Sequence, residues 1–322
     1  MKNPEDYVTE ISKAMIEGRA AFMAGAGISL NRNSWLPDWE GLVYSLLKII
    51  AGLNRDFEIE YIHKNYMQLL FNEVFLHLMS ETLGSNQVVD AIRRSMDINE
   101  FNRVHKFLAW SMLRFHSTVI TTNYDELIEK AGRLKIEPIK LHGTLNMPES
   151  MRFTVNHIFS PLNPEAARRA AEKIKGRTLL VLGYRGADEF DVMPFLFEQA
   201  NIHKFIWITH GEPEKDLDPH TRKRLDERGD PYFRVNADDF LKAVYDQSKS
   251  YAKSDGELDR WDQWNLDHPI KTPDWWKQEL EFWGRHIKKG SGSNMDFLWA
   301  KMLDYLRIYE LDCCGIERRP AE

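Results

Sequence analysis

Ala20-Ala21-Phe22-Met23-Ala24-Gly25-Ala26-Gly27-Ile28-Ser29 is a run of small and apolar residues that ends in a glycine-spaced turn. Five successive residues without a polar side chain suit a strand buried on both faces. Gly-x-Gly at its carboxyl end lets the chain turn towards a helix and leaves backbone N–H groups with no Cβ in front of them. That geometry makes a pyrophosphate cradle, yet any tight strand-to-helix turn also favours glycine. The other residues brought to the same place decide between the two readings.

Upstream, Asn3-Pro4-Glu5-Asp6 carries the cap, the first-turn proline and the acidic charges of a helix start. Tyr7, Val8, Ile11 and Met15 form its apolar stripe and Gly18 its stop. Downstream, Asn31-Arg32-Asn33-Ser34 is turn-prone, and Trp35-Leu36-Pro37-Asp38-Trp39-Glu40 reads as a loop leading into a helix over Leu42 to Ile50. A loop after a phosphate turn is a natural lid, whereas Trp35 and Trp39 serve equally as core anchors. Apolar clusters at helical spacing continue to Phe115 and predict a helical insertion over about 42–115. It exceeds the single crossover helix that a parallel strand pair needs, so it is expected to pack as a small subdomain.

Thr118-Val119-Ile120-Thr121-Thr122 reads as a buried strand that delivers Asn123-Tyr124-Asp125 to its carboxyl end, before a helix over Glu126 to Ala131. Ile136 to Leu141 predicts another strand, ending in His142-Gly143. Thr178-Leu179-Leu180-Val181-Leu182 predicts a third, ending in Gly183-Tyr184-Arg185-Gly186. Lys204 to Ile208 and Tyr232 to Val235 add two more, with helices over Glu165 to Ile174 and Val192 to Ala200 between strands. The alternation predicts an α/β fold: a Rossmann-like, mostly parallel sheet with helices on both faces. One crevice then collects Gly25 and Gly27, Asn123 and Asp125, His142 and Gly143, and Gly183.

This organisation assigns 1–250 to the nucleotide-binding domain and 251–322 to a C-terminal helical appendage. Residues 255–322 hold six of the ten tryptophans and no strand-like run. Gly290-Ser291-Gly292-Ser293 reads as a joint before a helix that spaces Met295, Leu298, Trp299, Met302, Leu306 and Tyr309 along one face. That face suits packing within the chain or a contact with an oligomer or partner.

Composition closes off several classes. The two cysteines, Cys313 and Cys314, are neighbours, which excludes a disulfide framework and a four-cysteine zinc module. Net charge is -6, from 43 basic and 49 acidic side chains, which argues against direct nucleic-acid binding. No stretch reaches the roughly 20 apolar residues of a membrane span, and the N-terminus lacks a signal-peptide layout, so a cytoplasmic location is expected. His63, His77, His105, His116 and His157 show no metal-ligand spacing and read as ordinary surface or core residues.

Gly25-Ala26-Gly27-Ile28-Ser29, Thr122-Asn123-Tyr124-Asp125, His142-Gly143 and Gly183-Tyr184, in this order, resemble the motifs of the sirtuin (SIR2) superfamily, particularly its bacterial sirtuin-like NAD hydrolases. The resemblance covers about residues 10–245. It departs from sirtuin deacylases in lacking the zinc cysteines, and in having Pro37-Asp38-Trp39-Glu40 where they carry Pro-Asp-Phe-Arg. The resemblance therefore implies hydrolysis of NAD to nicotinamide and ADP-ribose rather than deacylation, with NAD as substrate and no zinc. It implies that Asn123 holds the ribose or orients water, that His142 acts as base or hydrogen-bond partner, and that Asp125 fixes local geometry or stabilises positive charge. Gly25, Ala26, Gly27 and Ser29 would hold the pyrophosphate, with Thr122, Gly183 and Tyr184 lining the dinucleotide. Asn123 and Asp125 also suit a helix cap, and Asp188 and Asp191 suit either a ligand contact or a salt bridge to Arg185. The resemblance further implies an antiviral role controlled by homo-oligomer assembly or by a partner such as a HerA-type ATPase or an Argonaute-like protein. A non-catalytic NAD or ADP-ribose sensor is the alternative, with residual ADP-ribosyl transfer or deacylation behind it. On this reading Gly27→Val abolishes dinucleotide binding and leaves the fold largely intact.

Overall fold

A computed structural model describes residues 3–30, 34–51, 59–60, 63–64, 72–252, 261, 272–290 and 300–301. Six parallel strands form one sheet: β1 (Ala20–Ala24), β2 (Thr118–Thr121), β3 (Ile139–Lys140), β4 (Thr178–Leu182), β5 (Lys204–Thr209) and β6 (Tyr232–Arg234), in the order β3-β2-β1-β4-β5-β6. That is the doubly wound order, whose direction of winding reverses between β1 and β4. The glycine turn therefore emerges at the switch point, where open α/β sheets form their ligand crevice.

The period-2 alternation of the strands divides their apolar residues between two cores. Ala20, Phe22, Ala24, Val119, Leu180, Leu182, Ile206 and Ile208 pack with Ile11, Met15, Phe107, Trp110, Phe240 and Val244. Ala21, Met23, Ile120, Leu179, Val181, Phe205 and Trp207 pack with Ala170, Ile174, Phe195, Leu196 and Leu225. Helices thus cover both faces, as the unbroken apolar strands require. Each large side chain so buried contributes about 1.5–3 kcal/mol.

Three elements differ from the sequence reading, each for a local reason. β3 keeps only Ile139–Lys140, because Pro138 has no N–H to give the ladder. The helix expected over Val192 to Ala200 is a single turn, Val192–Pro194, running into a wide turn over Phe195–Gln199, where Ala200 N–H reaches back to Phe195 O at 3.0 Å. Pro194 lacks the N–H that a regular helix would use there. The helix expected from Leu42 begins at Trp39, since Asp38 takes the Gly41 N–H on its carboxylate (2.6 Å) and the Leu42 N–H on its carbonyl (3.0 Å).

The chain forms two compact units. The first comprises Met1–Leu36, Asp97–Arg152 and Ile158–Pro273 and contains the sheet; the second comprises Pro37–Met96, Phe153–His157 and Asp274–Glu322. Within the second, the helix Trp275–Gly290 packs on Trp39–Ala51 and Ser85–Met96. The start of the expected lid (31–33), most of the expected helix 295–311, and both cysteines lie outside the described residues.

Candidate functional site

The glycines of the switch point pack on one another. Gly25 N–H donates to Leu182 O (3.0 Å) and Gly27 N–H to Gly183 O (2.8 Å). A Cβ on Gly25 would stand 2.5 Å from Gly183 O, one on Gly27 2.8 Å from Gly183 Cα, and one on Gly183, at φ +60, 2.4 Å from Ile28 N. These contacts are backbone to backbone, so none can be relieved by a rotamer change. Gly27→Val would therefore break the junction of β1 and β4 as well as any ligand contact, which corrects the expectation that the fold survives it. Three of the turn's amides, those of Gly25, Gly27 and Ile28, are already used inside the protein, the last by Gly25 O at 3.2 Å. Ala26 is exposed, and among the described residues its N–H has no protein acceptor, so Ala26 is the donor the turn leaves to a ligand.

Beside the turn, β2 delivers a buried polar cluster. Thr121 Oγ1 donates to Ala24 O (2.7 Å) and accepts from Asn123 N–H (3.0 Å), clamping the end of β2 to the end of β1. Asn123 is 7% exposed. Its Nδ2 donates to Gly25 O (3.2 Å) and reaches Ser29 Oγ at 3.5 Å, while its Oδ1 is buried without a protein partner among the described residues. A flipped amide would set oxygen against the Gly25 carbonyl, so the assignment follows from chemistry. An unpaired buried acceptor costs about 1–3 kcal/mol until something donates to it.

Ser29 is buried, and its hydroxyl donates to Asp125 Oδ2 (3.2 Å) and meets His105 Nε2 at 3.0 Å. His105 Nδ1 accepts from Asn102 N–H (3.2 Å), so Nε2 carries the proton and donates to Ser29. Burial, offset in part by Asp125, lowers the His105 pKa to about 4 and keeps the ring neutral at physiological pH. Asp125 Oδ1 also caps the following helix through Leu127 N–H (3.0 Å). Lys140 binds the loop from below: its Nζ donates to the carbonyls of Asn123 (3.3 Å) and Asp125 and pairs with Glu129 at 3.2 Å. Thr122 lies half-buried between these groups.

His142 follows β3 as Asn123 follows β2. The register pairs Thr121 with Lys140, the last residues of their strands, and Asn123 and His142 each lie two residues beyond that pair. His142 Nε2 lies 3.1 Å from Asp191 Oδ2, and Arg152 Nη2 shares that oxygen at 3.3 Å. Gly143 makes this possible: at φ +89 its missing Cβ would sit 2.2 Å from Ser150 O, and the tight return lets Arg152 N–H donate to His142 O at 2.9 Å. Burial pulls the His142 pKa down, but the hydrogen bond to Asp191 and the charges of Asp188 and Asp191 outweigh it, against Arg152, and the net direction is up. Asp188 accepts from the Tyr184 hydroxyl (2.5 Å), and burial raises its pKa. Tyr184 is held in turn, its ring stacked on Trp207 and its carbonyl accepting from Trp207 Nε1 (2.9 Å). Asp191 thus pairs with His142 and Arg152, and Asp188 with Tyr184.

The site residues named from the sequence all lie at the carboxyl edge of the sheet: Gly25, Ala26, Gly27 and Ser29 after β1, Thr122, Asn123 and Asp125 after β2, His142 after β3, Gly183 and Tyr184 after β4. Sequence reading missed His105, Lys140, Arg152 and the partnership of Asp191. The one local sign for His105 was Asn102 three residues before it, which caps its helix at Val104 N–H and His105 N–H. Among the described residues no cluster of three His, Cys, Asp or Glu side chains is placed to hold a metal, and no helix is long and apolar enough to cross a membrane.

Fold and site together define a doubly wound α/β protein with a buried polar cluster at its switch point. Among solved structures the chain is similar to a Sir2 enzyme described for mechanism and regulation (17% identity, TM-score 0.42, covering 78% of this chain and 98% of that one). It is also similar to a Sir2 homologue in complex with NAD (16%, 0.44, 76% and 95%) and to a sirtuin described for its substrate affinity (18%, 0.45, 77% and 99%). No family model matches the chain, and no curated protein matches it. Overlaps this loose do not bear on ligand or activity, and the fold assignment rests on the strand order itself.

Proposed function

We propose that the chain is an NAD glycohydrolase that cleaves the bond between nicotinamide and ribose. The observation that carries this reading is the buried, unpaired Asn123 Oδ1 beside the turn at the switch point, with His142 following the neighbouring strand β3. The bond breaks through an oxocarbenium-like state and nicotinamide leaves neutral, so the reaction needs placement more than a strong acid. Asn123 Oδ1 accepts a hydrogen bond from a ribose hydroxyl or from the attacking water, while Nδ2 is held by Gly25 and Ser29. Water adds to the anomeric carbon, the glycosidic electron pair leaves with nicotinamide, and the water's proton passes to His142 and then to solvent. The turn from Gly25 to Ser29 meets the pyrophosphate through the exposed Ala26 N–H, and Gly183 and Tyr184 line the remainder of the dinucleotide. Asp125 acts through Ser29, holding its hydroxyl.

An unregulated enzyme of this kind would exhaust its host's cofactor. We place it as the effector of a bacterial antiviral system, in the cytoplasm, held in check until it forms a homo-oligomer or meets a partner such as a HerA-type ATPase or an Argonaute-like protein. The test is nicotinamide release by the purified chain, alone and with the product of the neighbouring gene, in wild type, Asn123→Ala and His142→Ala. Release lost in both variants supports the reading. Binding of NAD without release in every assembly state replaces it with a sensing module, and a modified protein acceptor seen by mass spectrometry replaces it with a transferase.

A further inference from the structure

We propose that Asp191, braced by Arg152, is a positioning residue that locks His142 as its Nε2–H tautomer, so that Nδ1 is the nitrogen through which His142 takes a proton. The proposal rests on the glycohydrolase reading for its chemistry but on geometry for the tautomer.

Asp191 has a side chain only 1% exposed and receives three donors: His142 Nε2 at 3.1 Å and Arg152 Nη2 at 3.3 Å on Oδ2, and Val192 N–H at 2.6 Å on Oδ1. An ionised carboxylate only accepts, so the imidazole nitrogen facing it must carry hydrogen. Arg152 cannot swing away, because Nη1 and Nη2 also donate to Pro161 O (3.0 Å) and Ser160 O (2.6 Å). The other ring nitrogen, Nδ1, has no protein partner among the described residues, and the ring is 9% exposed, so it keeps an opening for a ligand or water. A neutral imidazole has one donor and one acceptor nitrogen, so fixing Nε2–H leaves the lone pair on Nδ1. When the attacking water loses its proton, Nδ1 gains it; the resulting imidazolium keeps Nε2–H on Asp191, and Nδ1 later releases the proton to solvent.

The charged and titratable groups facing His142 are Asp191, Asp188 and Arg152, with Tyr184 attached to Asp188. The two carboxylates raise the His142 pKa and Arg152 opposes them, so the base form disappears, and turnover with it, as pH falls through the raised value.

Ring-nitrogen NMR of ¹⁵N-histidine-labelled full-length chain, with His142 assigned by its loss in His142→Gln, reads the tautomer directly and needs no turnover. The wild type is expected to show Nε2–H with a bare Nδ1 in its neutral form, and Asp191→Asn a mixture of tautomers. Asp188→Asn, which removes a nearby charge but not the hydrogen bond, is expected to keep the Nε2–H form. In turnover, Asp191→Asn should lower kcat roughly ten- to hundred-fold, change KM by less than about three-fold, and move the acidic limb of the pH profile downwards. An Nδ1–H form in the wild type, or an Asp191→Asn chain with unchanged kcat and pH limb, overturns the proposal. An Nε2–H form in a chain that never releases nicotinamide overturns the hydrolase reading and leaves the tautomer assignment standing.

Discussion

Gly183→Ala tests whether the switch point is held by backbone contact. Two costs are separable. The first is conformational: Gly183 sits at φ +60, where an L-residue pays about 1–2 kcal/mol. The second is steric: the new Cβ would stand 2.4 Å from Ile28 N and 2.8 Å from Gly27 C, both backbone atoms, so the turn must move and stretch the 2.8 Å bond from Gly27 N–H to Gly183 O. That bond is worth about 1 kcal/mol and displacing packed backbone costs about 1–3 more, for a total near 3–6 kcal/mol. Gly176→Ala is the control, because it lies in the same unit at φ +69 with nothing within 4 Å of its absent Cβ, so it carries the conformational cost alone. Urea unfolding, followed by amide exchange of β1 and β4, measures both variants. Gly183→Ala should be the more destabilising by about 2–4 kcal/mol. Equal losses in the two variants would refute the account of the glycines as a backbone-to-backbone junction.

Acid should act on His105. An unfolded chain takes up this proton near pH 6.5 and the folded one only near 4, so stability is full above pH 6.5, falls through that window, and is lower by about 3 kcal/mol once both forms are protonated. Comparing pH 7 with pH 4.5, the wild type should lose about 2 kcal/mol more than His105→Gln; an equal loss would mean the ring is not held neutral. Lys140→Met leaves Glu129, only 14% exposed, without its cation and should cost about 3–5 kcal/mol. Adding Glu129→Leu should recover much of that, and a double variant as unstable as the single would show that the carbonyls of Asn123 and Asp125, rather than the ion pair, need the lysine.

The strands were readable because their signal is local. Ala20–Ala24 is apolar at every position and Thr178–Leu182 at every position after its β-branched Thr178, and both occur with the expected bounds. The strand ends were readable for a related reason: polar and glycine residues after such runs fall at the carboxyl edge whatever the rest of the chain does. What sequence could not show was pairing at long range. Asp191 is 49 residues from His142, and His105 is 76 from Ser29. Asp191 precedes the expected helix and read as either a ligand contact or a salt bridge to its neighbour Arg185, and His105 lies in an amphipathic pattern where a core histidine is the ordinary reading. The glycines illustrate the opposite limit, since their spacing signalled an anion cradle while two of their amides bond across the sheet to β4. A glycine signature cannot separate close approach to a phosphate from close approach to backbone, because both need only the missing Cβ.

The two buried histidines show how one compact unit sustains opposite electrostatics, one at the start of a helix and one after a strand. His105 is sealed, accepts from a backbone N–H and has only a serine hydroxyl between it and a carboxylate, so burial dominates and the ring stays neutral. His142 is also buried, but it touches its carboxylate directly with a second acid close by, and the balance reverses. The neutral His105 ring, bonded to Ser29, is suited to holding the Asn123 amide in one orientation wherever the ring stays unprotonated, whereas the acids around His142 outweigh its burial, raise its pKa and suit it to proton exchange. On the proposed hydrolase reading, placement and proton transfer fall to residues after different strands, β2 and β3. Loss of His105 should therefore leave the pH midpoint of turnover in place while lowering its height, and loss of Asp191 should move the midpoint itself. A common shift in both variants would show that the two clusters titrate as one.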